Sequence, residues 1–134
     1  MLRTNSLTGI AIVRQRNKWG AVENNGRLAV QFAFDGFATG LADGRYVEGF
    51  TDEGLAIVEV GGRKGVIDRT GRVVVPLAYP TIVIHPVAFL FTDPSSRWGA
   101  IGRDGQPLVQ PVHPSRKAVN DELESLLSDA RPML

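Results

Sequence analysis

A chain of 134 residues, 43% of them hydrophobic and 22% charged, has the size and make-up of one folded domain and not of a disordered segment. It contains no cysteine, so disulfides and thiolate metal centres are excluded and a reducing compartment fits. Fifteen Lys and Arg against fourteen Asp and Glu leave a net charge of +1, too little for the basic face on which nucleic-acid affinity rests. The apolar stretch Leu7 to Val13 is short, contains Thr8 and Gly9, and lacks a cleavage-type end. No apolar run approaches the ~18 residues that would span a bilayer, so a cytoplasmic protein without a membrane partner is expected.

The charge is unevenly spread: residues 1–34 sum to +4, 35–59 to −5, 60–120 to +5 and 121–134 to −3. A mixed, solvated surface is the plain interpretation.

One module dominates the chain. Gly9-Ile-Ala-Ile-Val13 opens a span, 9–35, that aligns without a gap with 54–80, and nine of the 27 positions are identical. A third span, 88–114, keeps the frame at Gly99 and Gly105, with Ala88 in place of the opening glycine and six identities to the first. Ile10 to Val13, Leu55 to Val58 and Phe89 to Phe91 are runs of strand length and strand composition. The next two strands of each copy meet at Asn25-Gly26, Thr70-Gly71 or Asp104-Gly105, residues that supply the positive φ of a tight hairpin, Thr-Gly less well. The run Arg72 to Val75 suits a strand buried on both faces.

Between the first two copies lies a longer connection, 36–53, where Asp43-Gly44 can turn another short hairpin; only 81–87 separate the second from the third. All eight prolines follow residue 75, which points to irregular or edge strands in the second half. From Ser115 the period becomes helical: Val119, Leu123, Leu126, Leu127 and Ala130 share one face. Ser115 or Asn120 suits the N-cap, Asp121, Glu122 and Glu124 the first turn, and Pro132 the stop. The reading is an all-β fold of three antiparallel β-hairpin repeats over 1–114, as a short solenoid, an open barrel or a sandwich-like stack. A C-terminal amphipathic helix within 115–134 covers the open edge of the stack or docks a partner.

The elements Gly54-Leu-Ala-Ile-Val58, Lys18-Trp19-Gly20, Arg97-Trp98-Gly99, Val66 to Arg72 and Phe34-Asp35 together resemble the WG-repeat (KWG) family of bacterial proteins over about 9–114. The second copy departs from that pattern with Lys64 where Trp belongs, and the third with Ala88 and His113. The resemblance implies a β-rich repeat fold and interaction roles that include immunity proteins of toxin systems, and it carries over no catalytic residue.

Strand parity supplies the candidate site. Trp19 shares a face with Ala21 and Glu23, Lys64 with Val66 and Asp68, and Trp98 with Ala100, while Val22, Ile67 and Ile101 lie opposite. Taking the second set as core leaves the Trp slot toward solvent. Trp19, Lys64 and Trp98, with Lys18, Arg27, Arg72 and Arg97 beside them, then form a candidate surface for a protein partner such as an acidic toxin or effector. Two alternatives stand beside it: stacking on a carbohydrate, and packing of each indole against its neighbouring repeat. No enzyme and no cofactor is expected. His85 and His113 stand apart, each before a proline, Asp52-Glu53 is a lone acidic pair, and no nucleophile elbow or phosphate loop is present.

Overall fold

A computed structural model describes residues 2–5 and 9–129, with 2–5 and 129 described as backbone only. Its strands are β1 Leu2–Asn5, β2 Ile10–Gln15, β3 Lys18–Glu23 and β4 Leu28–Phe34 in a first sheet, ordered β1-β2-β3-β4. The second sheet holds β5 Gly36–Phe37, β8 Leu55–Val60, β9 Arg63–Asp68 and β10 Val73–Tyr79, ordered β10-β9-β8-β5. The third holds β11 Thr81–His85, β12 Ala88–Thr92, β13 Trp98–Gly102 and β14 Pro107–His113 in sequence order. Every pairing within these sheets is antiparallel. β6 Thr39–Gly40 and β7 Tyr46–Val47 make a separate small hairpin around Asp43-Gly44, and α1 Arg116–Asp129 closes the described chain.

The three copies adopt one geometry. Trp19 pairs with Phe34, Ala21 with Val30 and Val22 with Leu28, with register breaks between them. Lys64–Tyr79, Val66–Val75 and Ile67–Val73 repeat this in the second copy, and Trp98–His113, Ala100–Val109 and Ile101–Pro107 in the third. Gly26, Gly71 and Gly105 take φ of +86°, +87° and +85° at the turns. Thr70-Gly71 turns because Asp68 braces it: its Oδ1 accepts from Thr70 N, Thr70 Oγ1 and Arg72 N. The gapless frame slips by one in the first strand of the third copy, where Ala88 faces Gly102 as Ile10 faces Glu23. Five residues, not four, separate Thr92 from its partner Trp98, compared with Arg14 and Trp19.

Each copy is also a strand larger than the hairpin reading allowed. β4 runs through Asp35 directly into β5, and β10 through Pro80 into β11, so one corner residue carries the chain from sheet to sheet. At the third corner Pro114 leads into α1 instead of another strand.

Packing follows from this stepping. Ile12, Ala21 and Val30 of the first sheet meet Ala56, Val58 and Ile67 of the second, with Phe37 and Phe50 among them. The opposite face of the second sheet, Ile57, Val66 and Val75, meets Ile82, Ile84, Phe89 and Phe91 of the third. The far face of the third, with Leu90, Ala100 and Val109, lies under Val119 and Leu123 of α1. The molecule is a stack of three sheets capped by a helix.

Several expectations need correction. Ala21 and Ala100, assigned to the solvent side, are fully buried, whereas Val22 and Ile101 are half-buried. Parity paired the residues correctly, and Ile67 is fully buried as expected, but the face of Ala21, Val66 and Ala100 is covered by the next sheet or by α1 and is not a solvent side. Val73 and Val74 are exposed rather than buried on both sides; within the run Arg72 to Val75 only Val75 reaches a core, against the third sheet. Pro76, Pro107 and Pro111 do fall on the edge strands β10 and β14, where no ladder N–H is needed. Ser115 caps α1, its Oγ accepting from Ala118 N, so Asp121, Glu122 and Glu124 lie beyond the first turn. Leu126 is 43% exposed while Leu127 packs inward. Ala130 and Pro132 lie outside the described residues.

Candidate functional site

The Trp slot sits inside the stack's layers. Trp19 packs on the first core, beside Phe34 and Leu77, and Trp98 packs on the core beneath α1. Both are half-buried, as is Lys64. The glycine after each slot is a steric requirement. A Cβ on Gly20, Gly65 or Gly99 would lie 2.6, 2.5 or 2.7 Å from the carbonyl oxygen of Val30, Val75 or Val109, where the register break draws the partner strand close.

The basic residues do not gather into one stripe. Lys18, Lys64 and Arg97 lie by the first hairpin turn of their copies, with Trp19 and Trp98, while Arg27 and Arg72 lie at the second. A six-residue strand puts these turns roughly 17 Å apart at ~3.4 Å per residue. Lys18 is engaged with Asp35, whose Oδ2 also accepts from Gly61 N of the next copy. Those bonds, the lysine's first, hold the Asp35 carboxyl below its ordinary pKa. Arg27 lies 3.9 Å from Glu23.

A concavity lies elsewhere, at the second-turn end, and none of the expected site residues lines it. It is a groove of about 900 Å³ between the connection 36–53, the end of β11 and the exposed edge of α1. Its floor is apolar, with Leu41, Val47, Phe50 and Ile84. Its rim is acidic: Asp43, Glu48, Asp52, Glu53 and Glu124 against Arg45 alone among the lining residues.

Local chemistry holds these walls. Thr39, fully buried, donates to Gly49 O at 2.7 Å and accepts from Ile57 N at 3.1 Å, pinning the β6–β7 excursion to β8. Phe50 packs edge-on against Phe37, 5.6 Å between ring centroids. Arg45 folds onto Asp43 at 2.7 Å, and the bonds from its backbone and side chain lower the Asp43 pKa. Arg103 grips both Glu53 oxygens, at 2.7 and 2.8 Å, donates to His85 O at 2.7 Å and lies over the Phe89 ring. It ties the connection to the third sheet, a role the grouping of basic residues by hairpin concealed.

Both histidines serve the helix. His85, 4% exposed, accepts from Val87 N at Nδ1, so its proton sits on Nε2, which donates to Glu124 Oε1 at 3.0 Å. His113, in the aromatic slot opposite Trp98, lies 2.6 Å from Glu122 Oε2. Among the described residues no cluster of three or more His, Asp or Glu is placed to hold a metal ion, and no helix is long and apolar enough to cross a membrane.

The stacked four-stranded units define a β-hairpin repeat protein. Residues 19–63, about a third of the chain, match the family model for the WG containing repeat, which supports the resemblance of these repeats to that family. No curated protein and no solved structure matches the chain.

Proposed function

We propose that this repeat protein is a non-catalytic interaction module whose groove receives a basic, partly apolar segment of a protein partner. The carrying observation is the pairing of an apolar floor with a rim of five carboxylates and one arginine. Even counting Arg103, which neutralises Glu53, three negative charges remain over the hydrophobic surface. Among the described residues, the Glu48 and Asp52 side chains have no ion-pair partner, so an incoming Lys or Arg can pair with them without displacing an internal contact. Binding fits better than turnover, because the one histidine in the groove has both ring nitrogens engaged and offers no free base. The adaptor or immunity role implied by the family resemblance fits a surface that occludes a partner, with the partner's docking segment basic instead of acidic.

A peptide array graded from net-negative to net-positive, read by fluorescence anisotropy with the whole chain, tests this. Basic peptides containing Leu or Phe should bind, weaken as salt rises, and lose at least tenfold in affinity to the Glu48→Lys/Asp52→Lys variant. Preference for acidic peptides, or indifference to the charge reversal, would refute the reading. Binding lost instead in Trp19→Phe or Trp98→Phe would return the site to the tryptophan slots.

A further inference from the structure

The second and third sheets are packed on both faces; among the described residues, one face of the first sheet contributes to none of the three cores. In the second copy Ala56, Val58, Ile67 and Leu77 turn toward the preceding sheet and pack into the first core. In the third, Phe89, Phe91 and Ile101 do the same against the second sheet. By pairing register, the equivalent residues of the first copy are Ala11, Val13 and Val22, with Phe32 beside Gly20 in the place of Leu77; Leu28, the counterpart of the exposed Val73, borders them. No sheet precedes them among the described residues, and none of the five belongs to any of the three cores. Leu28 is 41% exposed and the other four are half-buried.

We propose that this face of the first sheet is a self-association surface, on which a second copy of the chain docks face to face. The internal joints are the precedent: the same face of the same module is covered by a sheet at both of them. The far end of the stack settles the symmetry. There α1 already covers the corresponding outward face of the third sheet. Head-to-tail stacking, which would grow open filaments, is therefore blocked, and a closed two-fold pairing of the first-sheet faces is what remains. Lys18 stands on this face at its hairpin end, but Asp35 neutralises it, so burying the apolar patch strands no charge.

Four strands ~4.8 Å apart and about five residues long present roughly 300 Å² in projection. Roughly 600 Å² over both partners lies below the ~1,200 Å² of stable specific interfaces, so the dimer should be weak and transient, populated toward the upper end of the micromolar range.

Sedimentation velocity of the full chain from about 1 to about 200 µM reads this directly. The wild type should shift toward twice the monomer mass as concentration rises. Val22→Lys, which sets like charges against each other across the two-fold, should weaken association at least tenfold with an unchanged circular dichroism spectrum. Val13→Lys, on the neighbouring strand of the same face and equivalent to the fully covered Val58, should do the same if Val22→Lys proves unstable. Glu48→Lys, in the groove, should leave the mass distribution alone, which separates this surface from the peptide site. A wild type monomeric throughout, species larger than a dimer, or lysine variants that still pair would each overturn the proposal. A monomer that Val22→Lys destabilises would show that the chain's own residues cover the face.

Discussion

Replacing Gly65 by alanine puts the repeat geometry under the most direct test. The glycine does not lie in the left-handed region, so the added methyl meets only a steric obstacle. Its Cβ would stand 2.5 Å from Val75 O, 2.8 Å from Leu77 N and 2.8 Å from the carbonyl carbon of Pro76, all backbone atoms that no rotamer change can move. β10 must be pushed outward, disturbing the Val66–Val75 pair, both members of which are buried in the second core. Such overpacking costs about 1–3 kcal/mol, and this site belongs near the top of the range. The stiffer unfolded chain offsets about 0.4–1 kcal/mol. The net loss is about 2 kcal/mol, which at a urea slope of about 1.5 kcal/mol per molar lowers the midpoint by about 1.3 M. Gly40→Ala is the control: its added Cβ would lie 3.5 Å from Val83 Cγ1, an ordinary contact, and a change within about 0.5 kcal/mol is expected. Equal midpoints for the two variants would refute the argument that register breaks make the glycine after the Trp slot obligatory.

Leu123→Ala, at the sealed junction of α1 and the third sheet, should cost about 2–5 kcal/mol in urea unfolding, whereas Leu126→Ala, on the exposed side, should change the midpoint by less than about 0.5 kcal/mol. For Asp68, burial opposes ionisation, but the bonds from Thr70 and Arg72 prevail and lower its pKa. Its stabilisation is therefore complete above the ordinary carboxylate range and lost as pH falls through the lowered value; the urea-midpoint gap between wild type and Asp68→Ala should be present at neutral pH and shrink under strong acid. Glu124→Ala should raise amide hydrogen exchange in α1 by removing the His85 acceptor, with about 0.5–1.5 kcal/mol lost, while Glu124→Gln, which keeps an acceptor oxygen, should restore most of the protection.

The repeat and its hairpins were legible because local chemistry writes them: Asn25-Gly26 and Asp104-Gly105 need positive φ, and the strands between are long enough to show their residue types. Which face of a strand is buried is a different kind of fact. Val22 and Ala21 differ by one position, and parity separates them, but only the neighbouring sheet decides which side is interior. In the middle copy both Val66 and Ile67 are fully buried, so neither side is the solvent side there. The strands β5 and β11 escaped notice because their only punctuation is a single corner residue, Asp35 or Pro80. The groove escaped for a related reason. Its floor and rim come from a glycine-rich connection with no repeat partner, joined to His85 and Glu124 from distant parts of the chain. The available signal was the charge of −5 over 35–59, the most negative segment of the chain.

Divergence among the copies follows position in the stack. The first copy ends its aromatic slot with Phe34, which packs edge-on against Phe37 of the next sheet. The second ends with Tyr79, 4.9 Å between centroids from Phe91 of the sheet after it. The third has no sheet after it, and there His113 takes the slot and reaches Glu122 of α1. A benzene-type ring suits an aromatic neighbour on the next sheet; an imidazole suits a helix that presents carboxylates. The departures from the repeat pattern at the third copy thus belong to the change from a stacking joint to a cap. The same logic leaves the proposed docking face of the first copy with the apolar residues of an internal joint, Ala11, Val13 and Val22, and no cap among the described residues. Among the described residues α1 finishes one end of the stack, and the first sheet retains at the other the apolar chemistry of an internal joint.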